Sequence, residues 1–344
     1  MAAGRPETGP RRIACLGVTQ GGRRLAAEIA KGLPGGTVLS VRTPLGELLP
    51  VLWGEYDGLV MVMAAGIVVR LIAPLVKDKK IDPCVVVVDE AGRFAVSLLS
   101  GHLGGGNELA REVAALTSGQ AVITTASDTL GHTALDLWAR EQNLAVEDYR
   151  KLAGSSARLV NSGSLRIFSE LPVSSLPLPE DFVAVATPEA ADCIVSNRLV
   201  PWPASAAVLR PRNLVVGMGC NRGTSSHQIE AAVAEAFSAH GLSQLAIRNL
   251  ASIDLKEDEA GLLAFAQARG LMIDFFSKDA LNGVAGVSVS QAVLRATGAK
   301  SVAEPAALLS SAADNLLVRK MKWKDVTIAI AQAPSTLSAP APAG

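Results

Sequence analysis

The sequence contains few cysteines and no excess of charge of either sign. Its four cysteines are far apart and form no Cys-x-x-Cys or Cys/His cluster; they are Cys15, Cys84, Cys193 and Cys220. This spacing argues against a zinc site and against a disulfide framework. Lysine plus arginine total 32 and aspartate plus glutamate total 32, so no overall field draws the chain to nucleic acid. Any anionic ligand must therefore be bound by a local site.

Long hydrophobic runs are also missing. No apolar run reaches the roughly 18 residues that span a bilayer, and the VVVV run at 85–88 stands between Pro83 and Asp89. The first residues carry charge but are not followed by the apolar stretch of a secretory signal. We therefore expect a cytoplasmic protein with no membrane partner.

Aromatic residues make up only 4% of the chain, whereas apolar residues make up 49%. Short β-branched runs alternate with amphipathic stretches, a pattern typical of α/β proteins with mostly parallel sheets. The sequence predicts two α/β lobes joined by a small irregular middle domain that is rich in proline. The predicted segments are a disordered N-terminus (1–10), an N-terminal α/β domain (11–140), a middle linking domain (141–211), a C-terminal α/β domain (212–332) and a disordered Pro/Ala tail (333–344).

The segment SGHLGGGN at 100–107 is the strongest local signal of a site. It follows an apolar strand and precedes a helix, so its glycine amides and the helix N-terminus can approach an anion. His102 is the natural proton carrier at neutral pH. The other candidate binding residues in this segment are Ser100, Gly101, Gly104, Gly105, Gly106 and Asn107. The alternative is a tight turn in which the glycines serve only unusual backbone angles.

Two further segments of the N-terminal domain carry candidate residues. TTASD at 124–128 ends the strand after the next helix, so Asp128, Thr124 and Thr125 are predicted on the same rim as His102. Asp128 could equally cap the following helix. Arg70, after another strand, is the candidate clamp for a substrate carboxylate because its guanidinium is rigid and bidentate. The lysines at 77–80 are more typical of a solvated helix end.

In the C-terminal domain, GMGCNRGT at 217–224 has the same strand-to-helix character. Its candidate binding residues are Gly217, Gly219, Arg222 and Thr224, with Lys256 and Glu304 from later segments. A salt bridge at a helix N-terminus explains the last two residues equally well. The glycines do not fit a dinucleotide-binding fingerprint and no Walker lysine motif is present, which disfavours a nucleotide-binding regulator. Cys220 is interpreted as a packing residue rather than a nucleophile.

A series of blocks in this order resembles the cobalt-precorrin-5A hydrolase (CbiG) family of anaerobic cobalamin biosynthesis. The blocks are AAGIVVRLIAPLVKDKKIDP, VVVVDEAGRFAVSLLSGHLGGGNELA, VITTASD, GMGCNRGT, LASIDLKEDEAGL, SVAEPAAL and VTIAIA. They cover about residues 55–130 and 213–331. The chain departs from the family pattern in reading GGGN where alanine often precedes the asparagine, and in having Asn221 where a basic residue is common.

The resemblance implies an enzyme that opens the ring A δ-lactone of cobalt-precorrin-5A and releases acetaldehyde to give cobalt-precorrin-5B, a hydrolysis at a carbon-carbon bond. Lactone opening needs a proton donor for the leaving oxygen and donors for the carbonyl oxyanion. We therefore predict His102 as general acid/base, Asp128 as its orienter or partner, and the amides of Gly104 to Gly106 as oxyanion or carboxylate donors. The substrate is a cobalt tetrapyrrole that carries its own metal, so no protein-bound cofactor or metal is expected. Other cobalamin-pathway enzymes and a second copy of the chain are candidate partners. The alternative is a non-catalytic tetrapyrrole carrier.

Overall fold

The computed structural model describes residues 11–41, 43–78, 81–172 and 175–334. These residues divide between Leu137 and Trp138 into two compact units, which are described one at a time. The predicted disordered termini lie outside the described residues except for Ala333 and Pro334, and Ala333 is buried. Lys79 and Lys80 also lie outside them.

The first unit contains one sheet with helices on both faces. Its strands are β1 (Ile13–Gly17), β2 (Gly36–Val38), β3 (Gly58–Val62), β4 (Cys84–Val88), β5 (Phe94–Leu99) and β6 (Gln120–Val122). Its helices are α1 (Gln20–Gly32), α2 (Leu45–Glu55), α3 (Ala65–Ile72), α4 (Gly106–Thr117) and α5 (Ala126–Leu130), and α6 (Leu135–Glu141) begins in it. The sheet order is β2-β1-β3-β4-β5-β6.

One pair of neighbouring strands in this sheet is antiparallel. All adjacent pairs are parallel except β4 and β5, which are antiparallel with Val85 opposite Leu99 and Val88 opposite Ala95. The chain reverses in a tight turn at residues 89–92, where Gly92 has a φ of 70°. As a result, β5 and β6 end beside the amino ends of β1, β3 and β4.

The central strands are buried on both faces, as in parallel sheets generally. In β4, Cys84, Val86 and Val88 pack toward α1 and α4. The alternate residues Val85 and Val87 pack toward α2 and α3. This alternation makes the sheet the rigid centre from which the loops at both edges project.

The second unit begins with a sheet in the middle segment of the chain. Its strands are β7 (Leu144–Val146), β8 (Leu165–Ser169), β9 (Phe182–Ala184), β10 (Cys193–Val195) and β11 (Ala207–Pro211), and α7 (Tyr149–Ser162) packs on it. The order is β7-β11-β10-β8-β9, with only β7 antiparallel to its neighbour. The description of 141–211 as irregular was therefore wrong. Three of these strands have only three residues each, too short for a readable period.

The C-terminal part of the second unit has a further mixed sheet. Its strands are β12 (Leu214–Cys220), β13 (Ile247–Ile253), β14 (Ile273–Phe276), β15 (Leu316–Lys322) and β16 (Val326–Gln332). Its helices are α8 (Ser226–Ala239), α9 (Ala260–Arg269), α10 (Lys278–Gly283), α11 (Gln291–Thr297) and α12 (Ala303–Ser311). The order is β14-β13-β12-β16-β15, and β15 and β16 form an antiparallel hairpin at one edge of the sheet. The α/β class is confirmed.

None of the helices in the described residues is both long enough and apolar enough to traverse a bilayer.

Candidate active site

The SGHLGGGN loop connects β5 to α4 and closes on itself through backbone hydrogen bonds. The amide of Gly105 donates to the carbonyl of His102 (2.8 Å), and the amide of Gly106 donates to the carbonyl of Ser100 (3.0 Å). Gly105 has a φ of 76°, which favours glycine there. The amides of Gly105 and Gly106 are therefore used inside the loop, contrary to the prediction that they bind an anion.

The side chain of His102 lies between two carboxylates. Its Nε2 atom is 2.8 Å from Asp128 Oδ2, and its Nδ1 atom is 3.4 Å from Asp136 Oδ1. The hydroxyl of Ser127 also lies 3.2 Å from Nε2. The exposed fraction of the side chain is 20% for His102, 19% for Asp128 and 13% for Asp136. The imidazole is therefore accessible yet largely shielded from water.

Asp128 is fixed by several donors besides His102. Its carboxylate accepts hydrogen bonds from Thr125 Oγ1 (2.7 Å), Asn107 Nδ2 (3.0 Å) and Arg111 Nη2 (2.6 Å). Asn107 is buried and its amide oxygen accepts from Ser97 Oγ at 2.7 Å. The loop, α4 and α5 therefore jointly position the carboxylate against the imidazole.

The surroundings raise the pKa of His102 and lower the pKa of Asp128, and both shifts favour the ion pair. The hydrogen bond to Asp136 raises the pKa of His102; burial opposes this, but the bond to Asp128 adds to it. Burial raises the pKa of Asp128, but hydrogen bonds from Thr125, His102 and Arg111 outweigh burial and lower it. The arrangement therefore favours an imidazolium beside an ionised carboxylate, and this imidazolium can act as a proton donor.

The structure also places the other residues that were predicted around this loop. Thr125 bonds to Asp128, as described, but Thr124 is exposed. Ser100 Oγ donates weakly to the carbonyl of Asp82 (3.4 Å). Gly101 lies against Asn107, since a Cβ there would be 2.6 Å from Asn107 Oδ1. A Cβ on Gly104 would be 2.4 Å from Ser100 Cβ, so both glycines allow close packing within the loop.

Arg70 lies at the other edge of the sheet. It belongs to α3, which follows the carboxyl end of β3, whereas the His102 loop follows β5 beside the amino ends of β1, β3 and β4. Arg70 is exposed and its Nη1 donates to the carbonyl of Gly66 at 2.9 Å. Because β5 runs antiparallel to β4, the turn that precedes Arg70 and the His102 loop follow strand ends on opposite sides of the sheet.

In the C-terminal part, the predicted anion-binding turn contacts carboxylates of the chain itself. The amide of Gly223 donates to Glu259 Oε1 (2.8 Å), and Lys256 Nζ lies 2.9 Å from Glu259 Oε2. Arg222 pairs with Asp258 at 2.5 Å. Arg222 and Lys256, which were predicted to bind substrate, are therefore already paired with carboxylates of the chain.

The remaining predicted residues of that turn and of α12 have structural roles. A Cβ on Gly217 would lie 1.9 Å from the carbonyl oxygen of Ala303, so this glycine lets β12 pack against α12. A Cβ on Gly219 would lie 2.7 Å from Thr327 Oγ1. The Thr224 hydroxyl donates to the carbonyl of Asn221. Buried Glu304 accepts from the Ser288 amide and hydroxyl and from the Lys320 amide.

Cys220 in the same turn is half-buried, and burial raises the pKa of its thiol. This favours a packing role for Cys220 over nucleophilic attack.

Within the part of the chain that the structure describes, no group of three or more His, Cys, Asp or Glu side chains has the geometry of a metal site.

Asp136, Arg111 and Ser127 contact the His102–Asp128 pair and were not predicted from the sequence. Ser127 stood next to Asp128 in the TTASD segment and could have been included on that ground. Arg111 lies one helical turn after Asn107 in α4, a spacing that places both side chains on one face. Asp136 follows a non-repetitive turn, so no periodicity indicated its position.

Two family models match the chain. The model described as Cobalamin synthesis G N-terminal matches residues 47–128, and Cobalamin synthesis G C-terminus matches residues 214–331. The first of these ranges contains both His102 and Asp128.

Two relatives that match most of the chain carry the same name. The cobalt-precorrin-5A hydrolase of Priestia megaterium is 38% identical over 305 residues, which are 83% of this chain and 81% of that protein. The cobalt-precorrin-5A hydrolase of Salmonella typhimurium is 32% identical over 350 residues, 93% of this chain and 97% of that protein. Protein CobE of a Sinorhizobium species is 33% identical over 129 residues, 37% of this chain and 83% of that protein. Since the two hydrolases match over most of their length, this chain belongs to the cobalt-precorrin-5A hydrolase (CbiG) family.

Proposed function

We propose that the chain hydrolyses cobalt-precorrin-5A in cobalamin biosynthesis. Its similarity to two proteins named cobalt-precorrin-5A hydrolase, over most of each chain, supports the assignment. The observation that carries the chemistry is the imidazole of His102 between two carboxylates in a partly exposed site. A proton carrier at such a position suits a hydrolase better than a passive carrier protein.

The proposed reaction opens a lactone and then breaks a carbon-carbon bond. Water adds to the lactone carbonyl, the acyl carbon-oxygen bond breaks, and the leaving oxygen takes a proton, which gives a carboxylic acid and an alcohol. The alcohol then loses its proton as the bond to the ring carbon breaks. Acetaldehyde leaves, and the ring carbon keeps the electron pair and takes up a proton.

His102 supplies the proton for the leaving oxygen in this proposal. Its raised pKa keeps the imidazolium populated near neutral pH, where a general acid must be protonated to act. Asp128 stabilises the charged imidazole and is itself kept ionised by Thr125 and Arg111. After it donates, the neutral imidazole can accept the proton that the alcohol releases in the second step.

The proposal includes fewer substrate-binding residues than the sequence suggested. Gly105, Gly106, Arg222 and Lys256 are not included, because each is already engaged by another group of the chain. No protein-bound cofactor is part of the proposal, since cobalt enters as part of the substrate ring.

The test is the His102→Gln variant, assayed for acetaldehyde release from cobalt-precorrin-5A. Loss of a general acid is expected to lower kcat by about 10²- to 10⁴-fold while substrate affinity changes little. His227→Gln is the matched control, because His227 is an exposed histidine of α8.

Two results would contradict the proposal. A His102→Gln enzyme with the wild-type rate would remove His102 from the mechanism. Tight substrate binding by the wild-type chain without any acetaldehyde release would instead favour the tetrapyrrole carrier.

A further inference from the structure

His102 has a second carboxylate partner whose role the proposed acid/base pair leaves open. Asp136 Oδ1 lies 3.4 Å from Nδ1, on the side of the ring opposite to Asp128. We propose that Asp136 is a positioning residue that keeps a proton on Nδ1 of His102, so that the imidazole gives up its other proton, from Nε2. This inference rests on the proposed function and adds one residue to it.

The charges around the imidazole favour a proton on both ring nitrogens. Asp136 faces His102 from α6, Asp128 faces it from α5, and Arg111 of α4 pairs with Asp128 at 2.6 Å. These two anions and one cation are balanced only when His102 carries a positive charge. Glu108, also in α4, pairs with Arg111 but is 63% exposed, so water screens it. Arg11 contacts the loop at the carbonyl of Gly105.

The two ring protons differ in how firmly they are bound. Asp128 is nearer to the ring (2.8 Å from Nε2) than Asp136 is (3.4 Å from Nδ1). Asp128, however, already accepts hydrogen bonds from Thr125, Asn107 and Arg111, which stabilise its anion and make it a weak base for the Nε2 proton. The Ser127 hydroxyl is a second polar neighbour of that proton, 3.2 Å from Nε2. The Nε2 proton is therefore the one that can move to a substrate oxygen.

Asp136 is rigidly placed for this role. It is the second residue of α6, directly after Leu135, which is 1% exposed and anchors the start of the helix in the core. Its own side chain is 13% exposed. A carboxylate on Nδ1 that selects the tautomer and orientation of a catalytic imidazole is the arrangement known from serine hydrolases.

The test follows His102 directly, without substrate, in protein labelled with ¹³C and ¹⁵N at histidine. The His102 signals are assigned by their loss in His102→Gln. In Asp136→Asn we expect the titration midpoint of His102 to fall by about one pH unit, and the neutral ring to lose its preference for a proton on Nδ1. Asp136→Glu should recover part of both effects, because the negative charge is kept.

A pH profile of acetaldehyde release provides a second readout. In Asp136→Asn the alkaline limb of kcat should move to lower pH together with the His102 titration, whereas KM should change little. Asp279→Asn is the matched control, because Asp279 is an exposed aspartate of α10.

An unchanged midpoint and tautomer in Asp136→Asn would overturn the inference. If that variant does not fold, Asp136→Ser, which also removes the carboxylate, carries the test, and an unaltered ¹⁵N tautomer signature in it would likewise overturn the inference. The spectra do not require turnover. A shifted titration in a protein that releases no acetaldehyde would therefore sink the proposed function while leaving the role of Asp136 on the imidazole intact.

Discussion

His102 couples the protonation of one side chain to the stability of the first unit. A histidine whose pKa is raised by folding stabilises the folded state below its unfolded pKa of about 6.5, and this contribution is lost as pH rises through the folded pKa. The effect amounts to about 1.4 kcal/mol for each unit by which the pKa is raised. Asp128 has the opposite sign, because its lowered pKa gives a contribution that is lost only in acid.

We therefore predict that the free energy of unfolding falls as pH rises from about 6 to about 8, and that His102→Gln removes most of this fall. Urea denaturation of both proteins across that range measures it. His227→Gln should retain the wild-type slope. Equal slopes in wild type and His102→Gln would show that the ion pairs of His102 contribute nothing to folding.

At the residue level, sequence reasoning predicted the central pair and two of its neighbours, Asn107 and Thr125, but not Asp136, Arg111 or Ser127. Asp128 was predicted beside His102 because adjacent parallel strands, here β5 and β6, end at the same edge of a sheet. Asp136 could not be predicted, because the turn between α5 and α6 has no period that fixes the direction of a side chain. The self-pairing of Lys256 with Glu259 depends on burial, which sequence spacing does not report.

At the level of elements, the direction of β5 determines which loops surround His102. The residues Glu90 to Gly92, between the apolar runs CVVVVD and AGRFAVSLL, read as a tight turn, and such a turn by itself implies the reversal. Arg70 was nevertheless predicted as a substrate clamp, because each strand-to-helix turn was considered separately. Helix α2 was not predicted, and it contains Pro50 and lacks a side-chain N-cap, two features that obscure the usual helix signals.

The packing of β12 against α12 gives a prediction at the same level. A side chain at position 217 would collide with the Ala303 carbonyl, so Gly217→Ala should destabilise the second unit by about 1 to 3 kcal/mol or more. Thermal denaturation measures this. Gly154→Ala is the control, because Gly154 lies inside α7 with open space around it and alanine should be neutral or stabilising there.

A folded Gly217→Ala protein of unchanged stability, with a raised KM, would contradict this prediction. It would instead return Gly217 to the role in substrate binding that the sequence suggested.

At the level of the whole molecule, the charge balance limits how the substrate is attracted. Lysine plus arginine equal aspartate plus glutamate, and cations such as Arg222 and Lys256 are paired within the chain. Electrostatic steering raises association rates by about 10- to 10³-fold when a protein presents one sign of charge. A polyanionic tetrapyrrole should gain little of this here.

We accordingly predict that kcat/KM for cobalt-precorrin-5A changes by less than about tenfold between low and high salt. The measurement is initial acetaldehyde release at subsaturating substrate over a salt series. Replacing the exposed residues Glu180 and Glu189 by lysine raises the net charge and should steepen the dependence. A steep dependence in the wild-type chain would reveal a local cationic surface that guides the substrate.

The reversal of β5 also separates two ends of the first unit for experimental use. The exposed Ala91 lies in the turn at 89–92, six residues of strand away from the His102 loop, a span of roughly 20 Å. A fluorophore attached at position 91 would thus report on fraying of the central sheet while the reaction proceeds undisturbed at the far edge. Chemistry and structural integrity could then be followed in the same cuvette.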